Sequence, residues 1–185
     1  MAKRAVLMGL VILLPLVMVL GCSELGKVDQ GRVIAYDKSK GIVTLIQDKK
    51  GELGKPDYNT LPPHVYTIPA NPHEMGAEPK AGYRMKLDMD KGVMTFYDPE
   101  TKKFQDVSFK ILEKKTGIAK DDPLVADKKL PVVDQEKKTV TIYSPRQKLF
   151  TVVAIPEELL NKPPETWDAG DEVRIYYKEP GKALR

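Results

Sequence analysis

Asp88-Met-Asp-Lys91-Gly-Val-Met-Thr95-Phe-Tyr97-Asp-Pro99-Glu-Thr-Lys102-Lys-Phe104 decides the fold, because the chain repeats it. The stretch aligns without gaps on Asp134 to Phe150, and Asp, Lys, Thr, Tyr, Pro, a second Lys and Phe are identical at seven of 17 positions. A shorter copy runs Asp37-Lys-Ser-Lys40-Gly41-Ile-Val-Thr44-Leu45, and in all three copies Asp precedes Thr by seven residues. Each copy reads as a strand, a polar turn rich in Lys and Gly, and a return strand, which is a hairpin. Val43/Leu45, Met94/Phe96 and Val140/Ile142 share one parity in the return strands and are predicted to face the core. Thr44, Thr95 and Thr141 share the other.

Working outward, the same period-two pattern marks Val33–Tyr36, Val65–Ile68, Val107–Ile111, Phe150–Val153 and Val173–Tyr177 as short strands. Fifteen prolines, all but Pro15 beyond the N-terminal segment, interrupt nearly every window long enough for a stable helix. One short helix is predicted over Pro156–Leu160, with proline in its first turn and acids at its positive end. The expected class is all-β. The 42% apolar and 30% charged residues of the 185 exclude a collagen-like or mostly disordered chain.

From Asp134 onward the order is three strands, a short helix, the Gly-turn at Ala169-Gly170 and a last strand. Residues 65–86 echo its end, with a Pro-rich stretch and then Ala81-Gly82-Tyr83-Arg84. This order resembles the small Greek-key barrels of the oligonucleotide/oligosaccharide-binding fold. The resemblance implies two tandem OB-like barrels, over 31–118 and 122–185. The alternative is a single β-sandwich of three hairpin-based units. Residues 48–63 and 69–82 are loop-like, and six prolines fall between Pro56 and Pro79.

The N-terminus carries an address. Lys3 and Arg4 precede an apolar run, Ala5 to Leu20, which is shorter than the roughly 20 residues of a permanent span. Val19-Leu20-Gly21-Cys22 then resembles the lipobox of bacterial lipoproteins, and the one cysteine of the chain stands where such proteins are acylated. The resemblance implies a signal peptide over 1–21, lipidation at Cys22, and a short tether over 22–30. Its reach is at most about 29 Å, at roughly 3.6 Å per residue. Ser23 favours the outer over the inner membrane under the enteric sorting rule, with the body in the periplasm. As a whole the chain resembles lipoproteins of sulfate-reducing bacteria, a resemblance that brings no activity with it.

Removing Lys3 and Arg4 from the 30 basic residues leaves 28 against 26 acidic ones, a net +2. Such a balance gives no nucleic-acid footprint. Cys22 as the lone cysteine leaves no disulfide framework or thiolate zinc site. Asp88-Met-Asp90-Lys-Gly92 opens like a calcium loop, but the closing ligands are missing and the repeat explains it as a turn. His64 and His73, with Glu74, offer two imidazoles and a carboxylate without the helix or the HExxH spacing of a zinc site. No GxSxG elbow is present. No cofactor is expected.

The outer parity of the repeat carries Tyr97 and Tyr143. With Trp167 and the loop around His64 and His73, they are the candidate binding surface. The expected function is a non-catalytic binding or assembly module near the lipid surface, taking an envelope protein or polymer. Its alternative is a periplasmic hydrolase using a carboxylate pair.

Overall fold

The computed structural model describes residues 25–185 apart from Leu53. The expected signal peptide, Cys22 and Ser23 lie outside the described residues. Strands β1 (Lys27–Asp37), β2 (Ile42–Gln47) and β3 (His64–Thr67) are followed by β4 (Arg84–Asp88), β5 (Val93–Asp98) and β6 (Lys103–Ser108). Then come β7 (Lys110–Thr116), β8 (Val132–Asp134), β9 (Thr139–Ser144), β10 (Leu149–Ala154) and β11 (Glu172–Tyr177). They form three antiparallel sheets, ordered β11-β1-β2-β3, β4-β5-β6 and β7-β10-β9-β8. Among the described residues there is no α-helix, and no helix is long and apolar enough to cross a membrane. The chain is all-β, as its patterning predicts.

The repeat is the hairpin it was read to be, and its aspartates show why. Asp37, Asp88 and Asp134 each end a strand. Their Oδ1 atoms accept the backbone N–H three residues on, at 3.0 Å from Lys40, 3.0 Å from Lys91 and 2.9 Å from Lys137. The fourth turn residue then takes a left-handed backbone, with φ 63° at Gly41, 62° at Gly92 and 53° at Lys138. Glycine adopts that conformation freely. Beyond the turns, the predicted parity holds: Val43, Leu45, Met94, Phe96, Val140 and Ile142 are buried, while Thr44, Thr95 and Thr141 are partly exposed.

These bonds favour the ionised carboxylate. The Ser39 hydroxyl and Lys40 hold Asp37 below its ordinary 3.8, and the backbone N–H groups of Lys91 and Lys137 do the same for Asp88 and Asp134. A folded-state value below the unfolded one stabilises the fold at pH above the unfolded value, and that stabilisation is lost as pH falls through the folded values. The urea midpoint is therefore expected to be flat above about pH 5 and to fall as the pH drops below about 4. A triple Asp37→Asn, Asp88→Asn, Asp134→Asn variant keeps the acceptors without the titration and is expected to fall less steeply. An equal slope would show that the turns are not the acid-sensitive element.

Three local expectations change. The predicted strand Val107–Ile111 is broken at Phe109, where the chain passes from β6 in one sheet to β7 in another. The Phe109 N–H there bonds the Gly92 carbonyl at 2.8 Å. The predicted helix over 156–160 is a 3₁₀ turn, Glu157–Leu159. Residues 27–30, assigned from the sequence to the tether, belong to β1, which starts at Lys27.

Two sheets draw strands from both of the units expected over 31–118 and 122–185. β11 pairs with β1 from Lys27↔Tyr177 to Arg32↔Glu172, and β7 pairs with β10 from Leu149↔Thr116 to Ala154↔Lys110. Only the β4-β5-β6 sheet lies wholly within one of them, the first.

The β4-β5-β6 sheet lies in the middle. Its Met85 and Tyr97 pack with Ile34 and Ile46 of the first sheet, and its Leu87 and Met94 pack with Val140, Ile142, Leu149 and Val153 of the third. The two Ala-Gly pairs meet where β1, β4 and β11 converge. Val33 N–H bonds the Asp171 carbonyl at 2.9 Å, and Gly82 N–H bonds the Val33 carbonyl at 3.1 Å. A Cβ at Gly170 would run into the Val33 carbonyl oxygen, so this crossing of backbones requires glycine.

Candidate functional site

Above that crossing lies an open cleft of about 990 Å³. Its walls come from β1, the start of β4, the β9–β10 turn, the loop over residues 51–58, Lys120 and the start of β11. Seven basic side chains line it against four acidic ones. Four of the six arginines in the whole chain are among them, in a protein that otherwise uses lysine for its cationic surface.

Arg32 is the centre of the network. It is only 7% exposed, on the β1 stretch Gly31–Ile34 where four consecutive residues are buried. Its cross-strand partner in the register is Glu172, and its Nη2 meets Glu172 Oε1 at 3.1 Å. Nη1 donates to the carbonyls of Arg84 and Met85, each at 2.9 Å. A register shift between Arg84 and Lys86 leaves Met85 out of the β4 ladder, so its carbonyl is available. The guanidinium also lies over the Tyr58 ring, 4.4 Å from its centre.

Glu172 Oε1 accepts two further bonds, from Tyr58 Oη at 2.6 Å and from Arg146 Nη1 at 2.6 Å. Burial pushes the Tyr58 hydroxyl well above the usual tyrosine range, with the Arg32 charge opposing it. One half-exposed carboxylate thus serves two guanidinium groups and a phenol.

Arg84 lies beneath them and is 3% exposed. Its Nε donates to the Trp167 carbonyl at 2.9 Å. Among the described residues no carboxylate reaches it at ion-pair distance, and Asp168, the acid whose charge it feels, is paired with Lys80. Burial and the neighbouring Arg32 charge pull Arg84 down to about 10. That value still leaves it cationic at neutral pH.

Two other cleft acids, Asp48 and Asp171, hold the walls together. Asp48 takes the N–H groups of Asp57 at 2.7 Å and Lys50 at 3.1 Å, and Gln30 Nε2 at 3.1 Å. Burial opposes ionisation there, but these bonds outweigh it and hold Asp48 below the usual carboxylate range. Asp171 accepts the Lys80 N–H at 2.7 Å.

The residues singled out from the sequence lie elsewhere. Tyr97 is 5% exposed and meets Phe104 edge-on at 6.2 Å. On the outer parity of the middle sheet, Thr95 is partly exposed, but at Tyr97 the first sheet covers the face with Ile34 and Ile46. Tyr143 is partly buried, and its Oη donates to the Ile118 carbonyl at 3.1 Å, pinning the loop after β7. Trp167 is fully buried beside Phe96, with ring centres 6.4 Å apart.

His64 Nδ1 and Tyr66 Oη meet Asp29 Oδ2 at 2.5 and 2.8 Å. Asp29 is itself buried. His73 is exposed in a 3₁₀ turn, its N–H bonded to Asn71 Oδ1. No group of three metal-ligating side chains occurs among the described residues.

Arg32, Tyr58, Arg84, Arg146 and Glu172 were missed by the sequence reading. The available signal was the scarcity of arginine beside lysine, together with Arg32 and Arg84 standing inside or beside strand patterns. Arginine is chosen over lysine where a planar, multiply bonded cation is needed.

No curated protein and no solved structure matches the chain. A family model, described as a domain of unknown function (DUF4881), matches residues 24–185. The chain belongs to that family.

Proposed function

We propose that this protein is a lipid-anchored cell-envelope module that binds an envelope protein or polymer in the cleft, without catalysis. The cleft is the observation that carries the reading: it is open, and its walls are cross-linked by fixed hydrogen bonds from separate sheets. Such preorganised concavity is what a binding site requires. Acylation of Cys22 would hold the body close to the lipid, because five residues to Lys27 reach at most about 18 Å. The outer membrane, with the body in the periplasm, is the proposed address. The carboxylates argue against the hydrolase alternative: of the four in the cleft, Glu172, Asp48 and Asp171 are engaged in holding the walls, which leaves only Glu52 uncommitted. A glycosidase needs two carboxylates free to exchange protons with the substrate.

The test places a photo-crosslinking residue at Lys120 on the cleft or at Lys114 on β7, in the native envelope. Capture of a defined macromolecule from position 120 and not from position 114 is expected, as is release of a Cys22→Ser variant from the membrane. Equal capture from both positions would count against the cleft. A Cys22→Ser variant that stays processed and membrane-bound would remove the lipid anchor.

A further inference from the structure

We propose that the floor of the cleft is an oxyanion subsite, formed by Arg32, Arg84 and Arg146, that takes a phosphoryl group of the ligand. The inference rests on the reading of the cleft as the ligand surface and adds the chemistry of what it recognises.

The charge balance supports it. Three guanidinium groups stand at the floor, two of them nearly inaccessible to water, and one carboxylate, Glu172, meets two of them, Arg32 and Arg146. Asp168 is committed to Lys80, and Asp48 and Asp171 to wall-forming N–H groups. Buried cations are expensive unless paired. The floor therefore carries two positive charges more than its carboxylate neutralises, the charge a phosphoryl dianion supplies.

The hydrogen bonds agree. Arg32 Nε is buried with no partner, and the Nε bond of Arg84 to a carbonyl uses its geometry and not its charge. A clamp between sheets requires the bonds that Arg32 makes to two backbone carbonyls. It does not require a second buried arginine beside the first, whose like charge opposes it. The planar, multiply donating guanidinium groups of Arg32 and Arg146 already meet on one carboxylate oxygen, the arrangement that matches the oxygens of a phosphoryl group.

Glu172 stands in for that group when none is bound. Its side chain is 51% exposed, so it can turn to solvent as the anion enters. The phosphoryl group can belong to a lipid headgroup of the anchoring membrane or to an envelope polymer, and the chemistry at the floor is the same.

The test is titration calorimetry of the full chain in detergent with inorganic phosphate, repeated with Arg146→Gln and Glu172→Gln. Both positions are partly exposed, so both variants are expected to fold, as circular dichroism will show. Saturable binding is expected, weakened about tenfold by Arg146→Gln, the effect of one lost charge-assisted contact. Glu172→Gln is expected to tighten it about fivefold or more, by removing the competing carboxylate. A purely structural arginine cluster would bind no phosphate in either Glu172 form, and that result overturns the subsite. Unchanged affinity in Glu172→Gln overturns it too.

Cleft-specific crosslinking without phosphate binding would leave the binding-module reading standing and remove the subsite alone. Phosphate binding without cleft-specific capture would do the reverse. Parallel titrations with soluble polyphosphate and with phosphatidylglycerol vesicles, using Cys22→Ser protein, separate a polymer source from a headgroup source.

Discussion

Trp167→Ala is expected to lower the free energy of unfolding by about 3–5 kcal/mol. The indole is fully buried in the cluster that joins the middle sheet to the third, against Met94, Val140, Ile142 and Leu160. Truncation removes its contact with Phe96 and leaves a cavity where two sheets meet, which neither sheet can fill by moving alone. Its carbonyl is also the acceptor for Arg84 Nε, so loosening of the 164–167 turn would disturb the cleft floor.

Trp167→Phe is expected to cost less, about 1–2 kcal/mol, since the ring contact persists and a buried indole N–H without a partner is removed. Urea denaturation followed by circular dichroism measures both. A Trp167→Ala protein of unchanged stability would mean that the residue is not the plug between sheets.

The second large effect is expected at Arg32. Replacement by methionine keeps much of the apolar stem but takes this donor from the Arg84 and Met85 carbonyls and removes one of the three donors to Glu172 Oε1. A cost of about 3 kcal/mol follows from losing one partner of a buried, hydrogen-bonded network. Arg146→Gln touches the same Glu172 oxygen from a more exposed position, and there solvent screening limits the loss to below about 1 kcal/mol. The contrast is the diagnostic: equal costs at both positions would place Arg32 on the surface. In a double-mutant cycle, Arg32→Met and Glu172→Gln should be non-additive, with a coupling of about 1 kcal/mol or more, because the two share one contact.

The three hairpins were legible because everything that makes them is local. An aspartate and the N–H three residues on, a left-handed fourth turn position, and alternating side chains all lie within one copy of the repeat. The same parity rule misplaced Tyr97. It separates two faces of a strand, but says nothing of how many sheets will cover them. Tyr97 faces inward because the middle sheet packs against the first as well as the third. The Ala-Gly pairs were read as turns leading into strands. They are also where Gly82 and Gly170 let three backbones approach one another, a contact that no window of sequence contains.

By itself, then, the sequence determined the all-β class, the hairpin positions and the core-facing side of each return strand. Hydrogen bonds and side-chain alternation over a few residues are enough to specify these. The tertiary structure alone decided which edges pair and what they enclose. The last strand returns to the first, with Tyr177 opposite Lys27 and Tyr176 Oη bonded to the Gly26 N–H 150 residues away. One strand edge offers the same N–H and C=O groups as another, so the choice between β11 and any other partner for β1 rests on how three sheets bury their faces together. The arginine cleft follows from that choice, because Arg32, Arg84, Arg146 and Glu172 meet only once β1, β4, β9–β10 and β11 have been brought to one place.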